Sequence, residues 1–207
     1  MKKAKTEFGI IGIWEITESL QELELKYDLS EKERSELNLI SAEKRKKEFL
    51  IVKILLKEIL KFTPEIIYEK TGKPKLANSK LNISISHSAD LAVVFVSEKS
   101  IGIDVENCER DISKITSRFL HRSEIEFTEK SANVQDLKII LWCAKEAIFK
   151  CCREQGIRFN SEIIIQPFRV EENTFFLGKR IGSMQTDYFK LWFFYVKNNV
   201  VVGCVEN

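Results

Sequence analysis

Hydrophobic residues along the chain repeat with two different periods, which predict strands and helices. Alternating or β-branched stretches predict strands, and apolar residues three or four positions apart predict helices. Strands are predicted over residues 8–16, 65–70, 81–85, 91–97, 101–106, 162–166, 174–179, 187–197 and 200–205. Helices are predicted over residues 30–40, 41–62 and 112–120, then from 123, and finally over a long segment that ends near 152.

Serine residues mark three of the predicted helix starts. Ser30 and Ser123 each precede a glutamate by three positions, which is the spacing of a capping box. Ser41 is expected to cap the next helix, and Thr63-Pro64 is expected to end it.

The order of the predicted elements divides the chain into two parts. Residues 1–99 and 100–207 each place helices before a run of strands, which predicts an α+β fold rather than alternating βαβ units. We expect two similar halves, each with helices on a mainly antiparallel sheet, and a cleft at their junction. No Pro-, Gly- or Ser-rich linker separates them, so we expect them to pack rigidly together.

Composition narrows the class of protein. The 207 residues are 44% hydrophobic and 31% charged, which is typical of a soluble globular protein. A net charge of +2 does not indicate a nucleic-acid binder. Neither a signal peptide nor a membrane span is predicted. Five cysteines without a CxxC pair indicate neither a disulfide framework nor a zinc site, and they fit a reducing cytoplasm.

The strand predicted over residues 101–106 carries the first candidate chemistry. Asp104 and Glu106 share one strand face with Gly102, and two neighbouring carboxylates favour a cation between them. A hard divalent ion such as Mg²⁺, holding a phosphate-bearing substrate, fits these oxygen ligands. Gly102 would let a ligand approach the backbone closely. The alternative interpretation is an ordinary acidic pair on a solvated face.

The long helix supplies a possible partner for these acids. Trp142, Glu146 and Lys150 form a stripe four residues apart beside the apolar face. Glu146 is a candidate third metal ligand, and Lys150, one turn later, is a candidate phosphate contact. The alternative is a surface Glu–Lys pair, which is worth only about 0.2–0.5 kcal/mol.

Other polar residues are candidates of lower rank. Lys44, Arg45 and Lys53 would grip phosphate if the start of their helix faces the site. His87 lies between two serines that offer donors to an anion. We expect the other histidine, His121, to be structural and Glu124 to lie on a helix surface. The serine-hydrolase, Walker and dinucleotide-binding motifs are not found.

Four segments together resemble the ordered motifs of the Sfp-type 4′-phosphopantetheinyl transferases. They are Gly72-Lys73-Pro74, Ile85-Ser86-His87-Ser88, Ile101-Gly102-Ile103-Asp104-Val105-Glu106 and Trp142-Cys143-Ala144-Lys145-Glu146-Ala147-Ile148-Phe149-Lys150. The last two match the family's G-x-D-x-E and W-x-x-K-E-A-x-x-K patterns. The basic helix before them is similar to the family's phosphate-binding segment.

This resemblance implies a pseudo-dimeric monomer with its active site between two α/β halves. It implies an enzyme that moves the phosphopantetheine arm of coenzyme A onto a serine of an apo carrier protein and releases adenosine 3′,5′-bisphosphate. The expected partners are coenzyme A, Mg²⁺ and an acyl or peptidyl carrier protein, without nucleic acid or membrane. The sequence does not choose among fatty-acid, polyketide and nonribosomal-peptide carriers.

The matching positions imply a role for each candidate residue. Asp104, Glu106 and Glu146 would hold Mg²⁺ against the pyrophosphate, and Lys150 would contact the phosphate under attack. Either Glu146 or a metal-bound hydroxide would accept the proton of the serine. The expected contacts to coenzyme A are His87 with Lys44 or Arg45 at the 3′-phosphate, and Lys73, Pro74 and Ser86 at the adenine and ribose.

Two positions depart from the family pattern. Ser84 replaces an Asn found in many members, and Lys53 stands about where an Arg is common, which exchanges a bidentate grip for a point charge. Two alternative functions also stay open: a non-catalytic module that binds coenzyme A or carrier proteins, and a Mg²⁺-dependent nucleotide phosphohydrolase.

Overall fold

A computed structural model of the chain describes residues 1–152, 154 and 156–207. Its strands are β1 Lys2–Thr6, β2 Gly9–Glu15, β3 Ile66–Tyr68, β4 Pro74–Leu76, β5 Asn82–His87, β6 Leu91–Ser97, β7 Ile101–Asn107, β8 Ile163–Ile165, β9 Phe176–Ile181, β10 Thr186–Val196 and β11 Asn199–Glu206. Its helices are α1 Leu20–Lys26, α2 Glu31–Leu39, α3 Glu43–Leu60, α4 Thr116–Phe119, α5 Arg122–Glu129, α6 Val134–Cys151 and α7 Phe159–Glu162, with a 3₁₀ turn over Ser113–Ile115.

The first sheet has six antiparallel strands in the order β1-β2-β6-β5-β4-β3. Its central strand β6 is buried along its whole length, which explains the unbroken apolar run of its sequence. Helix α3 packs on one face of this sheet, where its Leu50 and Leu55 are fully buried, and α1 packs against α3.

The second sheet has five antiparallel strands in the order β7-β11-β10-β9-β8. Helix α6 covers one of its faces, and its apolar stripe, which includes Leu137, Leu141 and Ile148, is fully buried. The two sheets pack against each other through a third cluster that includes Phe95 and Trp192. This packing brings the edge strand β7 beside β5.

The α+β class predicted from the sequence is confirmed, with helices packed on two antiparallel sheets. The predicted division at residues 99 and 100 falls between β6 and β7, which belong to different sheets. The structural similarity of the two halves stays a prediction. Among the described helices, none is long and apolar enough to cross a bilayer.

Two of the three predicted helix caps differ from the structure. Ser30 forms the expected capping box with Glu33, but α3 begins one residue later than predicted and has Ala42, not Ser41, at its N-cap. Helix α5 begins at Arg122, with His121 as its N-cap. The His121 ring accepts the Ser123 N–H at 3.2 Å and so replaces the predicted hydroxyl cap.

Four described elements were not predicted: β1, β4, α1 and α7. The sequence of β1 is rich in lysine and its side chains are largely exposed, because it is an edge strand held by its backbone pairing with β2. The other three are short, so tertiary contacts rather than hydrophobic periodicity decide their formation.

Candidate active site

Strand β7 presents the two faces that its alternation predicts. Ile103 and Val105 pack into the core between the two sheets. Gly102 and Asp104 point the other way, toward helix α6. Acidic and apolar side chains of one strand thus serve different layers of the fold.

Gly102 determines how closely α6 approaches this strand. A Cβ atom at position 102 would lie 1.8 Å from the carbonyl oxygen of Ala147, and 3.0 Å from the backbone nitrogen of Cys151. The space that the sequence left open for a ligand is therefore filled by the helix backbone, and that interpretation of Gly102 is wrong. Glu146 and Lys150 lie next to these two residues on α6, so the close contact brings both side chains to the level of Asp104.

Asp104 is the centre of a buried hydrogen-bond network. Its Oδ1 accepts hydrogen bonds from the Ser86 hydroxyl and from Lys150 Nζ, both at 2.7 Å. Lys150 Nζ also donates to Ser86 Oγ at 2.8 Å. Strand β5, strand β7 and helix α6 each contribute one member, so the network joins both sheets.

Glu106 has its own cation. Its carboxylate pairs with the guanidinium of Arg110, which also lies over the ring of Trp142 at 5.8 Å from the centroid. Trp142 in turn packs edge-on against Phe119. Trp142, the aromatic residue of the helical stripe, therefore supports Arg110 at the wall of the cavity that contains Glu106.

Glu146 differs from the other two acids because its carboxylate has no hydrogen bond or ion pair within the described part of the chain. Burial, together with the neighbouring Asp104 carboxylate, raises the pKa of Glu146 to about 7. All three acids line one cavity of about 310 Å³. Its other polar lining residues are Ser86, His87, Arg110, Trp142 and Lys150.

The fit of this cavity to a divalent cation rests on its donor set. Three carboxylates are the ligands that Mg²⁺ prefers, and burial together with the Asp104 carboxylate raises the pKa of Glu146 even though Lys150 and Arg110 act in the opposite direction. Over residues 1–152, 154 and 156–207, however, no three acidic, His or Cys side chains are grouped closely enough to enclose a metal ion. Lys150 and Arg110 instead neutralise two of the acids.

A second cavity of about 300 Å³ adjoins the first and shares His87 and Lys150 with it. It is lined by Lys73 and Pro74, from the turn that leads into β4, and by Phe149 from α6. Lys73 Nζ donates to the carbonyl oxygen of Cys151 at 2.7 Å, so the turn is fastened to the carboxyl end of α6.

His87 lies where the cavities meet. Burial lowers the pKa of its imidazole to about 4, and the nearby Lys150, Arg45 and Lys44 act in the same direction. Its Nε2 is buried and finds no hydrogen-bond partner within the described residues. A neutral ring with a free nitrogen at a cavity wall is available to a ligand.

The basic residues of α3 differ in how far their side chains are buried. Lys44 and Arg45 lie at the first turn, with mostly exposed side chains, and both pair with the buried carboxylate of Glu48, at 3.9 and 2.8 Å. Lys53 is buried and pairs with Glu33 at 2.9 Å, so its charge is already compensated inside the first half. Lys53 nevertheless lines a third cavity, of about 380 Å³, together with Arg45 and His87.

One fully buried ion pair was not expected from the sequence. Lys145 Nζ contacts Glu124 at 2.7 Å and also donates to the carbonyl oxygens of Phe159 and Ile163, at 2.9 and 2.6 Å. The expectation that Glu124 lies on a helix surface is wrong, since this side chain is 1% exposed. Lys145 falls among the apolar positions of α6, and this placement could have indicated that the lysine is buried and needs an acidic partner.

Comparisons with known proteins agree with the motifs. A family model described as the 4′-phosphopantetheinyl transferase superfamily matches residues 100–205. The 4′-phosphopantetheinyl transferase gsp of Aneurinibacillus migulanus is 32% identical to this chain over 107 residues, which are 50% of this chain and 45% of that protein. The similarity to this curated relative thus spans about half of its length. The matched region of the family model contains β7 and α6, which carry the acids and Lys150.

Proposed function

Because this chain belongs to the 4′-phosphopantetheinyl transferase superfamily, we propose that it transfers the phosphopantetheine arm of coenzyme A to a serine of an apo carrier protein, with release of adenosine 3′,5′-bisphosphate. One observation carries the proposal: Asp104, Glu106, Glu146 and Lys150, from a strand and a helix distant in sequence, line a single cavity. Phosphoryl transfer asks a protein mainly for positioning and for neutralisation of charge, and this cavity offers both.

In this proposal the two halves of the chain supply different parts of the site. Residues 100–207 supply the acids and Lys150, and residues 1–99 supply the contacts to the nucleotide part of coenzyme A. Lys73, Pro74 and His87 border the second cavity, which is large enough to receive part of a nucleotide. Lys44 and Arg45 stand at the start of α3, and their charges act on His87. Ser86 joins the two regions through Asp104.

Asp104, Glu106 and Glu146 are the residues that would hold Mg²⁺. The ion would neutralise the pyrophosphate of coenzyme A as the bond to the departing nucleotide breaks. Lys150 keeps a positive charge beside Asp104 and is placed to contact the phosphate under attack. Ser86 holds both groups by hydrogen bonds at 2.7 and 2.8 Å.

The attacking hydroxyl belongs to the carrier protein, so the chain needs a proton acceptor rather than a nucleophile. Glu146 is the acid without an ion-pair partner among the described residues, and it lines the same cavity as Lys150, so its carboxylate is free to accept a proton there. We assign this proton to Glu146.

Intact-protein mass spectrometry tests this function. Incubation of the protein with coenzyme A, Mg²⁺ and representative fatty-acid, polyketide and nonribosomal-peptide apo carriers should add the mass of one phosphopantetheine arm to at least one of them. Substitution of Asp104 by Ala should abolish this gain while the fold is kept. Coenzyme A binding without any mass gain across the panel would favour a binding module, and cleavage of coenzyme A without a carrier would favour a phosphohydrolase.

A further inference from the structure

Side chains from the first sheet accept hydrogen bonds from the free edge of β7. In the part of the chain that the structure describes, strand β7 is the edge strand of the second sheet and has β11 as its one paired neighbour. The N–H groups of Ile103 and Val105 face away from β11 and are buried against β5. Buried N–H groups need acceptors, because an unpaired one costs about as much as a lost hydrogen bond.

Two serines of β5 provide these acceptors. The Ile103 N–H donates to Ser84 Oγ at 3.0 Å, and the Val105 N–H donates to Ser86 Oγ at 3.4 Å. Ser84 and Ser86 are two residues apart on one strand face, as are the two N–H groups on β7. The two serines therefore join the sheets by two side-chain hydrogen bonds, and Asp104 lies between the two residues of β7 that donate them.

We infer that Ser84 is a positioning residue for Asp104. This inference rests on the proposed function. Ser86 contacts Asp104 and Lys150 directly, whereas no hydrogen bond joins Ser84 to either of them within the described residues. Ser84 fixes the backbone on the amino-terminal side of Asp104, and the close contact between Gly102 and α6 fixes the residue before. The carboxylate is thereby held at a set distance from Glu146 and Lys150.

This role also gives a reason for serine at position 84. The Ser84 side chain is 3% exposed and faces a backbone N–H of β7 in the tightly packed space between the sheets. A small hydroxyl accepts this N–H without pushing the strands apart. Removal of a group bonded directly to a metal ligand typically changes metal affinity or activity 10–100-fold. Ser84 acts on Asp104 through the backbone of Ile103, so we expect an effect at the lower end of that range.

The test compares two buried serines. Ser84→Ala removes the acceptor for Ile103, and Ser97→Ala is the control. Ser97 is also 3% exposed; its hydroxyl donates to the Phe8 carbonyl and accepts the Lys99 N–H in the turn before β7, and it bonds no residue of β7 within the described part of the chain. Both substitutions should lower the melting temperature by similar amounts. Only Ser84→Ala should speed hydrogen exchange of the Ile103 amide and weaken Mn²⁺ binding, about tenfold, as followed by electron paramagnetic resonance.

The outcomes separate this inference from the proposed function. Unchanged Ile103 exchange and unchanged Mn²⁺ affinity in Ser84→Ala would overturn the positioning role, as would equal losses of affinity in both variants. If the unsubstituted protein binds no Mn²⁺, the metal role fails. The ¹³C shift of the Asp104 carboxyl then decides the inference: a change in Ser84→Ala but not in Ser97→Ala supports it, and no change in either overturns it.

Discussion

The three acids of the site differ in how their charge is balanced. Asp104 has Lys150 at 2.7 Å and Glu106 has Arg110, whereas the Glu146 carboxylate has no ion-pair partner among the residues described. The acids and Lys150 could be chosen from motif spacing, because alternation on a strand and a four-residue step on a helix fix their faces. The pairing with Arg110 could not, since it depends on the path of the loop after β7.

Lys150 should act on the rate of transfer. Lys150→Ala removes the positive charge beside Asp104, which we place against the phosphate under attack. We expect kcat to fall about 100-fold, in the range seen when one charge-stabilising donor is removed, with KM for coenzyme A changed only a few-fold. Steady-state kinetics with a carrier protein measure both. Lys138→Ala on the same helix is the control, and a pure KM defect in Lys150→Ala would contradict the assigned role.

His87 should stay neutral at physiological pH. Burial lowers the pKa of its imidazole from 6.5 to about 4, so the unfolded chain takes up this proton first as pH falls. The neutral ring therefore costs no stability above pH 6.5, and stability is lost between about pH 6.5 and 4. Imidazole NMR, assigned with His87→Asn, should show no His87 titration above about pH 5. Titration near 6.5 would show that the ring is solvated.

At the scale of elements, the contact between β7 and α6 builds the site. The Gly102 backbone lies against Ala147, and this contact sets Glu146 and Lys150 opposite Asp104. The sequence predicted both elements but not their contact, because periodicity shows which face of an element is apolar and not which neighbour covers it. For the same reason Lys145 and Glu124 were not expected to meet in the core.

Gly102→Ala should disrupt this contact. The added methyl group would meet backbone atoms of α6, at 1.8 Å from the nearest, and these cannot rotate away. We expect the free energy of unfolding to fall by about 3 kcal/mol or more, as in severe overpacking, with loss of transfer activity. Urea denaturation measures the first quantity.

Gly72→Ala is the matched control for that substitution. Gly72 has φ of +84°, and no atom lies within 4 Å of the position that an added methyl group would take, so only backbone strain of about 1 kcal/mol is expected. Similar losses of stability in the two variants would show that α6 does not rest on Gly102.

At the scale of the whole molecule, the site lies where two sheets and one helix meet. Strand β5 comes from the first sheet, β7 from the second, and α6 covers the second sheet. The fold class and the location between two halves could be predicted from the order of elements and from the family resemblance. The burial of Lys53 against Glu33 could not be predicted, because the position of a lysine on the basic side of α3 does not indicate that it pairs with an acid of α2.

The proposed function depends most directly on whether Asp104, Glu106 and Glu146 together hold one divalent ion. Mn²⁺ titration followed by electron paramagnetic resonance tests it directly, with Glu146→Gln as the variant because it removes the charge and keeps the shape. We expect one site per chain in the unsubstituted protein, displaced by Mg²⁺, and affinity at least about tenfold lower in Glu146→Gln. Equal affinity in the two proteins would contradict the account.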